Sequence, residues 1–299
     1  MIIKTSPNII RIEVFLLTEL SQRMKMELEL RGYSPRTVRS YLLHVGYFAK
    51  YFNTSPDKLN INHIKQYLHQ LIISEKYSDS YISCSYFSLK FFYSYVVDFN
   101  FNFGDVIPYF KPKKTIPVVL SRSEINTLLN SVTNIKHRAI LTVIYSSGLR
   151  LGEACRLQIS DIDSKNMQIF VHQGKGKKDR YTILSQQCLI LLRQYYKLYK
   201  PVYYLFEGLS QDKHIAERTV EKIFTKAYAK TNINKKACVH TLRHSFATHF
   251  IESGGQLCHL QELLGHSSIQ TTSKYIHLQN LYSIGIRSPL DLGECEKNV

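Results

Sequence analysis

A break in helical patterning divides the chain. The stretch "FNFGDVIPYFKPKKTIPVVL", residues 101–120, carries three prolines, a glycine and three lysines and shows no periodicity. Proline removes a backbone donor and fixes φ, so no regular element is expected to run through it. On either side, apolar residues return at helical spacing. A chain of 299 residues with such a break is expected to fold as two domains, each long enough to bury a core. Residues 1–21 match no pattern. A helical domain is expected over 22–105, an extended linker over 106–118 and a second domain over 119–299.

In "SPRTVRSYLLHVGYFAKYF", Ser34 can cap and Pro35 takes the first helical position, while Val38, Tyr41, Leu42, Val45 and Phe48 share one face. Similar patterns from about Asn62 to Lys76, from Ser78 to Asp98 and before Gly32 predict a bundle of four helices. The aromatic run Tyr86, Phe87, Phe91, Phe92 and Tyr95 reads as core. Beyond the break, Ser121 and Glu124 form a capping box that opens a new helical region. Within it, Met167, Ile169 and Val171 alternate, a Gly-Lys turn follows, and a return strand runs through Tyr181 and Ile183. This hairpin carries Lys175 near its tip. The expected fold class is mainly α with a small β-sheet.

Charge narrows the partner. Lys and Arg total 39 against 23 Asp and Glu, a net charge of +16. The excess is spread over both halves, with 15 basic and 9 acidic residues up to residue 115, and 24 and 14 after it. Excess positive charge spread through folded sequence makes a polyanion, and nucleic acid first, the leading candidate partner; a merely basic, soluble protein is the alternative on charge alone. The six cysteines form no CxxC pair and no signal peptide precedes them, so reduced thiols and a cytoplasmic location are expected. "IIRIEVFLLTEL" is too short and too charged to span a membrane.

Three chemistries fail on spacing. His240 and His244 lie one helical turn apart, but position 241 is Thr where a zinc protease needs Glu, so no metal is expected. "GKGKKD" is not a P-loop, and no GxSxG elbow occurs, so no nucleotide cofactor and no serine hydrolase are expected. What remains is an ordered set: Arg150 in "SSGLRLGEACRL", Lys175 in "QGKGKKDR", His240 and Arg243 in "HTLRHSFATH", His266 in "LLGHSSIQTTSKYIH", and Tyr275 nine residues later.

In this order and with these flanks, the set resembles the signature of the tyrosine recombinases, or phage-integrase family. The chain from about Gln22 to Asp291 is similar to its Xer-like members. The resemblance implies a SAM-like N-terminal helical bundle that binds core DNA and a mixed α/β catalytic domain, closing as a C-shape on duplex DNA. It implies that Tyr275 attacks the scissile phosphate to give a 3′-phosphotyrosyl link, without ATP, metal or cofactor. Lys175 would protonate the leaving 5′ oxygen, His240 would serve as acid or base, His266 would bind the phosphate, and Glu153 would orient its neighbours. Two arginines suit one phosphate because each can donate paired hydrogen bonds in a plane, which lysine cannot. Arg150 and Arg243 fill that role, and Arg243→Lys is expected to abolish cleavage while leaving the fold intact.

The resemblance further implies a homotetramer on paired sites, alone or with a second recombinase, with strands exchanged through a Holliday junction. The segment from His277 to Val299, including "SPLDL", would dock on a neighbour. No arm-binding domain is expected before Gln22, and no integron-type insertion lies between Lys175 and His240. Two alternatives stay open: a catalytically silent DNA-binding accessory protein, and a topoisomerase-like enzyme that relaxes supercoils.

Overall fold

The structure is a computed structural model, and it describes residues 18–97, 103–111, 117–172 and 179–276. The chain divides into two compact units, Met1–Thr115 and Ile116–Val299. The architecture is mainly helical with one three-stranded antiparallel sheet, as the sequence implies.

In the first unit, α1 (Glu19–Leu30), α2 (Pro35–Phe52), α3 (Ile61–Ile73) and α4 (Asp79–Tyr95) each begin at a residue whose side-chain oxygen accepts a first-turn N–H. Those caps are Thr18, Ser34, Asn60 and Ser78. Val38, Leu42, Val45 and Phe48 of α2 are buried and pack on α4, giving the unit one shared core. His44 lies in it with Nδ1 2.7 Å from Ser85 Oγ.

Two expectations for this unit need correction. Tyr86, Phe91 and Phe92 are core, but Phe87 and Tyr95 are 42% and 52% exposed. A helix turns about 100° per residue, so five aromatics spread over positions 86 to 95 cannot all face inward. Tyr95 instead lies under the Arg31 guanidinium, 4.2 Å from the ring centroid. The stretch expected to be an extended linker also begins inside packed structure. The short α5 (Phe103–Val106) closes the helical domain with Phe103 buried, and within the expected linker Ile107 is buried in the same core, its carbonyl accepting from Tyr86 Oη at 3.0 Å.

The second unit is built around α7 (Ile135–Ser147). Ala139, Ile140, Leu141, Val143 and Ile144 are all inaccessible, and a helix with so broad a buried apolar face belongs at the centre. Around it pack α6 (Arg122–Asn130), α8 (Leu151–Arg156), α9 (Gln186–Tyr199), α10 (Glu217–Tyr228) and α11 (Val239–Glu252). The expected capping box opens α6: Glu124 N–H donates to Ser121 Oγ at 3.2 Å and Ser121 N–H to Glu124 Oε2 at 2.7 Å.

The sheet has order β1 (Ile162–Asp163), β2 (Gln168–Val171), β3 (Arg180–Ile183), with Ile169 opposite Thr182. Ile169 and Val171 face the core, as does Thr182, while Tyr181 and Ile183 face outward. Residues 173–178, and with them Lys175, lie outside the described residues. So do residues 277–299, where the tail contact was expected. After α11 come α12 (Leu257–Leu264) and α13 (Ile269–Ser273); Phe246, Leu260, Leu264 and Tyr275 form a small second core there. No described helix is long and apolar enough to cross a membrane.

Candidate active site

Two helix ends set the backbone frame. Gly148 ends α7 at φ +62° and Gly265 ends α12 at φ +61°, a conformation open to glycine without strain. At Gly148 a Cβ would also meet the buried ring of Phe246 at 2.3 Å. The carbonyls at these ends are taken by arginines. Arg243 Nη1 donates to Gly148 O at 2.6 Å and Nη2 to Leu264 O at 2.7 Å, while Arg150 Nη2 donates to Gly265 O at 3.2 Å.

Glu153 organises the arginines. It is buried on α8, accepts the Arg150 N–H at 2.9 Å and pairs with Arg150 Nη1 at 2.7 Å. Arg180 of β3 donates to it through Nη1 and Nη2, at 3.0 and 2.7 Å, and Arg243 Nη1 stands 3.8 Å away. Burial alone would raise the Glu153 carboxyl. The hydrogen bonds and charge of Arg180, with those of Arg150, outweigh it and bring the pKa down to about 2. One carboxylate thus holds three guanidinium groups in place, and the excess positive charge faces the cavity.

Arg243 is 4% exposed. Burial and the charge of Arg150 lower its pKa to about 10, which leaves it charged at neutral pH. This corrects the expectation that Arg243→Lys would spare the fold. An ammonium lacks the planar fork that reaches the carbonyls of Gly148 and Leu264 together, so the substitution loses structural hydrogen bonds.

His266 follows Gly265, with Nε2 3.2 Å from Arg243 Nη2 and Nδ1 2.9 Å from Thr272 Oγ1. Burial, then Arg243 and Arg150, lower its pKa to about 3, so the ring is neutral at physiological pH. Tyr275 lies just beyond α13, 1% exposed, with its ring parallel to His266 at 6.5 Å. Its hydroxyl is 2.9 Å from His244 Nδ1. Burial raises the phenol pKa, while Arg243 and Arg150 pull in the opposite direction. His240 stands exposed on the first turn of α11. Loss of surrounding water, Arg243 and Arg150 lower its pKa.

Arg150, His240, Arg243, His266 and Tyr275 therefore line a single cavity of about 270 Å³. A larger hollow of about 490 Å³ beside Asp161 and Asp163 holds no comparable set of side chains. Of the residues singled out in the sequence, the structure brings these five together with Glu153 behind them; Lys175 is outside the described residues.

The description "Phage integrase family" matches residues 118–281, and "Phage integrase, N-terminal SAM-like domain" matches residues 20–101. A Sinorhizobium fredii protein provisionally assigned as an integrase/recombinase is 36% identical over 280 residues, spanning 94% of this chain and 91% of the relative. The chain belongs to the phage integrase family, that of the tyrosine recombinases. Tyrosine recombinase XerC of Thermodesulfovibrio yellowstonii is 30% identical over 283 residues, covering 88% and 92% of the two chains. Among solved structures, XerA recombinase superposes with a TM-score of 0.52 at 28% identity, over 94% of this chain and 99% of that one. A lambda integrase dimer bound to a COC′ core site shares the fold at a TM-score of 0.71 and 16% identity, over 85% and 96%.

Four residues of this recombinase site escape the sequence reading. Arg180 left one usable signal: an arginine on the inward side of a strand, in phase with buried Thr182, needs a buried partner. His244 left a signal too: it lies one helical turn from His240 and so on the same helix face, but the sequence reading takes that spacing only as a test for metal binding. Lys274, whose Nζ lies 5.0 Å from the Tyr275 ring centroid, and Thr272 carried no signal at all.

Proposed function

We propose that this recombinase cuts and rejoins duplex DNA at specific sites through a covalent 3′-phosphotyrosyl intermediate, without metal or ATP. The observation that carries the reading is the convergence of Arg150, His240, Arg243, His266 and Tyr275 on one cavity. Arg150 and Arg243 bind the non-bridging oxygens of the scissile phosphate and hold the charge that grows as the phosphorane forms. Tyr275 attacks phosphorus. His240, at the exposed side, serves as an acid or base of the site, and His266 hydrogen-bonds the phosphate. Glu153 keeps the arginines in place, and Lys175 protonates the departing 5′ oxygen. Because the link conserves the energy of the phosphodiester, a second strand's 5′-hydroxyl reverses the step, and strand exchange needs no external energy.

Duplex DNA is the partner this reading requires, engaged by the helical domain over 22–105 and the catalytic domain over 119–299. The net charge of +16 supports contacts made largely to phosphates, with affinity falling steeply as salt rises. The solved lambda integrase dimer on a core site, and the XerH recombinase bound to a palindromic difH substrate, are DNA complexes of proteins with the same fold. Exchange between two duplexes calls for four protomers, so a homotetramer on paired sites is the working assembly, acting on DNA in the cytoplasm.

The reading is tested by incubating the protein with sheared DNA of its source organism, denaturing in SDS and recovering attached fragments. Wild type should retain DNA and Tyr275→Phe none. Equal retention by both would remove Tyr275 as nucleophile. With a supercoiled plasmid carrying the recovered site, exchanged products support recombination; relaxed circles alone would favour a topoisomerase.

A further inference from the structure

The reaction needs a group to take the phenol proton of Tyr275. A tyrosine hydroxyl has an ordinary pKa near 10 and attacks poorly while it keeps its proton. His240 is the histidine that resemblance assigns to proton transfer, yet its ring makes no hydrogen bond to Tyr275 among the described residues. The side chain that touches the nucleophile is His244, one turn further along α11, with Nδ1 2.9 Å from Tyr275 Oη. Among the described residues, neither side chain hydrogen-bonds to any other group. The His240 ring lies 6.5 Å from that of His244, centroid to centroid.

Resting on the proposed function, we infer that His244 is a catalytic residue of this recombinase, the base that receives the Tyr275 proton as the phenol oxygen bonds to phosphorus. The direction of the hydrogen bond follows from chemistry. An imidazole nitrogen without a proton accepts better than a phenol oxygen, and a phenol donates better than a neutral imidazole N–H, so the O–H points at Nδ1 and the ring proton sits on Nε2.

The surroundings keep His244 in the accepting form. It is faced by His240 and Arg243 of its own helix and by Lys274 and Tyr275 from the segment after α12. Burial, then Lys274, His240 and Arg243, lower its pKa to about 4. The ring is neutral at physiological pH, and a bound phosphate that offsets Arg243 and Arg150 makes it more basic when the proton must be taken. The step balances. The phenol O–H breaks and its proton passes to Nδ1. The oxygen's electron pair forms the O–P bond, the P–O5′ bond breaks, and the 5′ oxygen leaves as a hydroxyl with the proton assigned above to Lys175. On rejoining, His244 returns its proton to the phenol.

Two measurements on the full chain decide this. In ¹⁵N-histidine NMR, the signals lost in His244→Asn belong to His244. They should show the Nε2–H tautomer, with Nδ1 shifted by Tyr275→Phe. An Nδ1–H tautomer would overturn the inference, because that nitrogen could not accept. In the SDS assay on sheared source DNA, His244→Asn keeps an acceptor oxygen near the Nδ1 position but cannot hold a proton at neutral pH. Its adduct yield should fall about 100-fold, the usual worth of a positioned base. Wild-type yield within about twofold, in a variant that melts like wild type, would contradict the role. A wild type that gives no adduct overturns the proposed function itself.

Discussion

Nη2 of Arg243 and Nε2 of His266 lie 3.2 Å apart, and the contact fixes where the histidine proton sits. A guanidinium only donates, so Nε2 accepts and the proton rests on Nδ1, where it meets Thr272 Oγ1 at 2.9 Å. To hydrogen-bond an incoming phosphate oxygen, Nε2 must carry the proton instead. The Thr272 hydroxyl permits the change, since it can turn from acceptor to donor while staying in place.

Thr272→Val removes that ability and leaves the His266 Nδ1–H without its partner. Covalent adduct yield should fall about tenfold, equal to about 1.4 kcal/mol of lost transition-state stabilisation. Thr272→Ser should stay near wild type. Equal yields from the Val and Ser variants would reduce Thr272 to a packing residue.

Glu153→Gln tests whether the carboxylate anchors the arginines. It leaves Arg180, whose side chain is 9% exposed, and Arg243 buried without their counter-charge. Urea unfolding at pH 7 should show a loss of about 3 kcal/mol. The carboxylate's pKa is depressed from 4.5 to about 2, so its contribution is complete above the ordinary range and fades as pH falls. The gap between wild type and variant should therefore narrow toward pH 2. Unchanged stability at pH 7 would remove Glu153 from this role.

Much of this arrangement is readable in the amino-acid order, and the gaps have physical causes. Caps at Ser34 and Ser121 are local, one side chain meeting a backbone group three residues on, so sequence spacing reveals them. Arg150, His240, Arg243, His266 and Tyr275 are recognisable as an ordered set, although only folding brings them to one cavity. Arg180 and His244 act through contacts 27 and 31 residues away in the chain, so their local spacing places each on an inward or shared face without naming the partner it meets. The two-residue β1 is too short for alternation to show. At Phe87 and Tyr95, burial depends on which sides of α4 are covered, a tertiary fact that composition does not carry.

His44 makes an acid-sensitive element of the first unit. Burial lowers its pKa from 6.5 to about 4, so the unfolded chain takes up a proton near pH 6.5 that the folded chain refuses until about 4. The stability tied to this group is complete above pH 6.5 and is lost as pH falls through that window, on the order of 3 kcal/mol. His44→Gln should unfold with a shallower dependence on pH between 6.5 and 4, measured by urea titration beside wild type. Parallel curves would show that His44 protonates equally in both states.

The chemistry of the covalent link is read by digesting the SDS-stable protein–DNA adduct with protease and nuclease and sequencing the modified peptide by mass spectrometry. The predicted result is a nucleotide joined through its 3′ phosphate to Tyr275, with a free 5′-hydroxyl on the released strand. A nucleotide on any other residue, or a 5′-phosphate link, would contradict the assignment of Tyr275 as the nucleophile of a DNA strand-exchange enzyme.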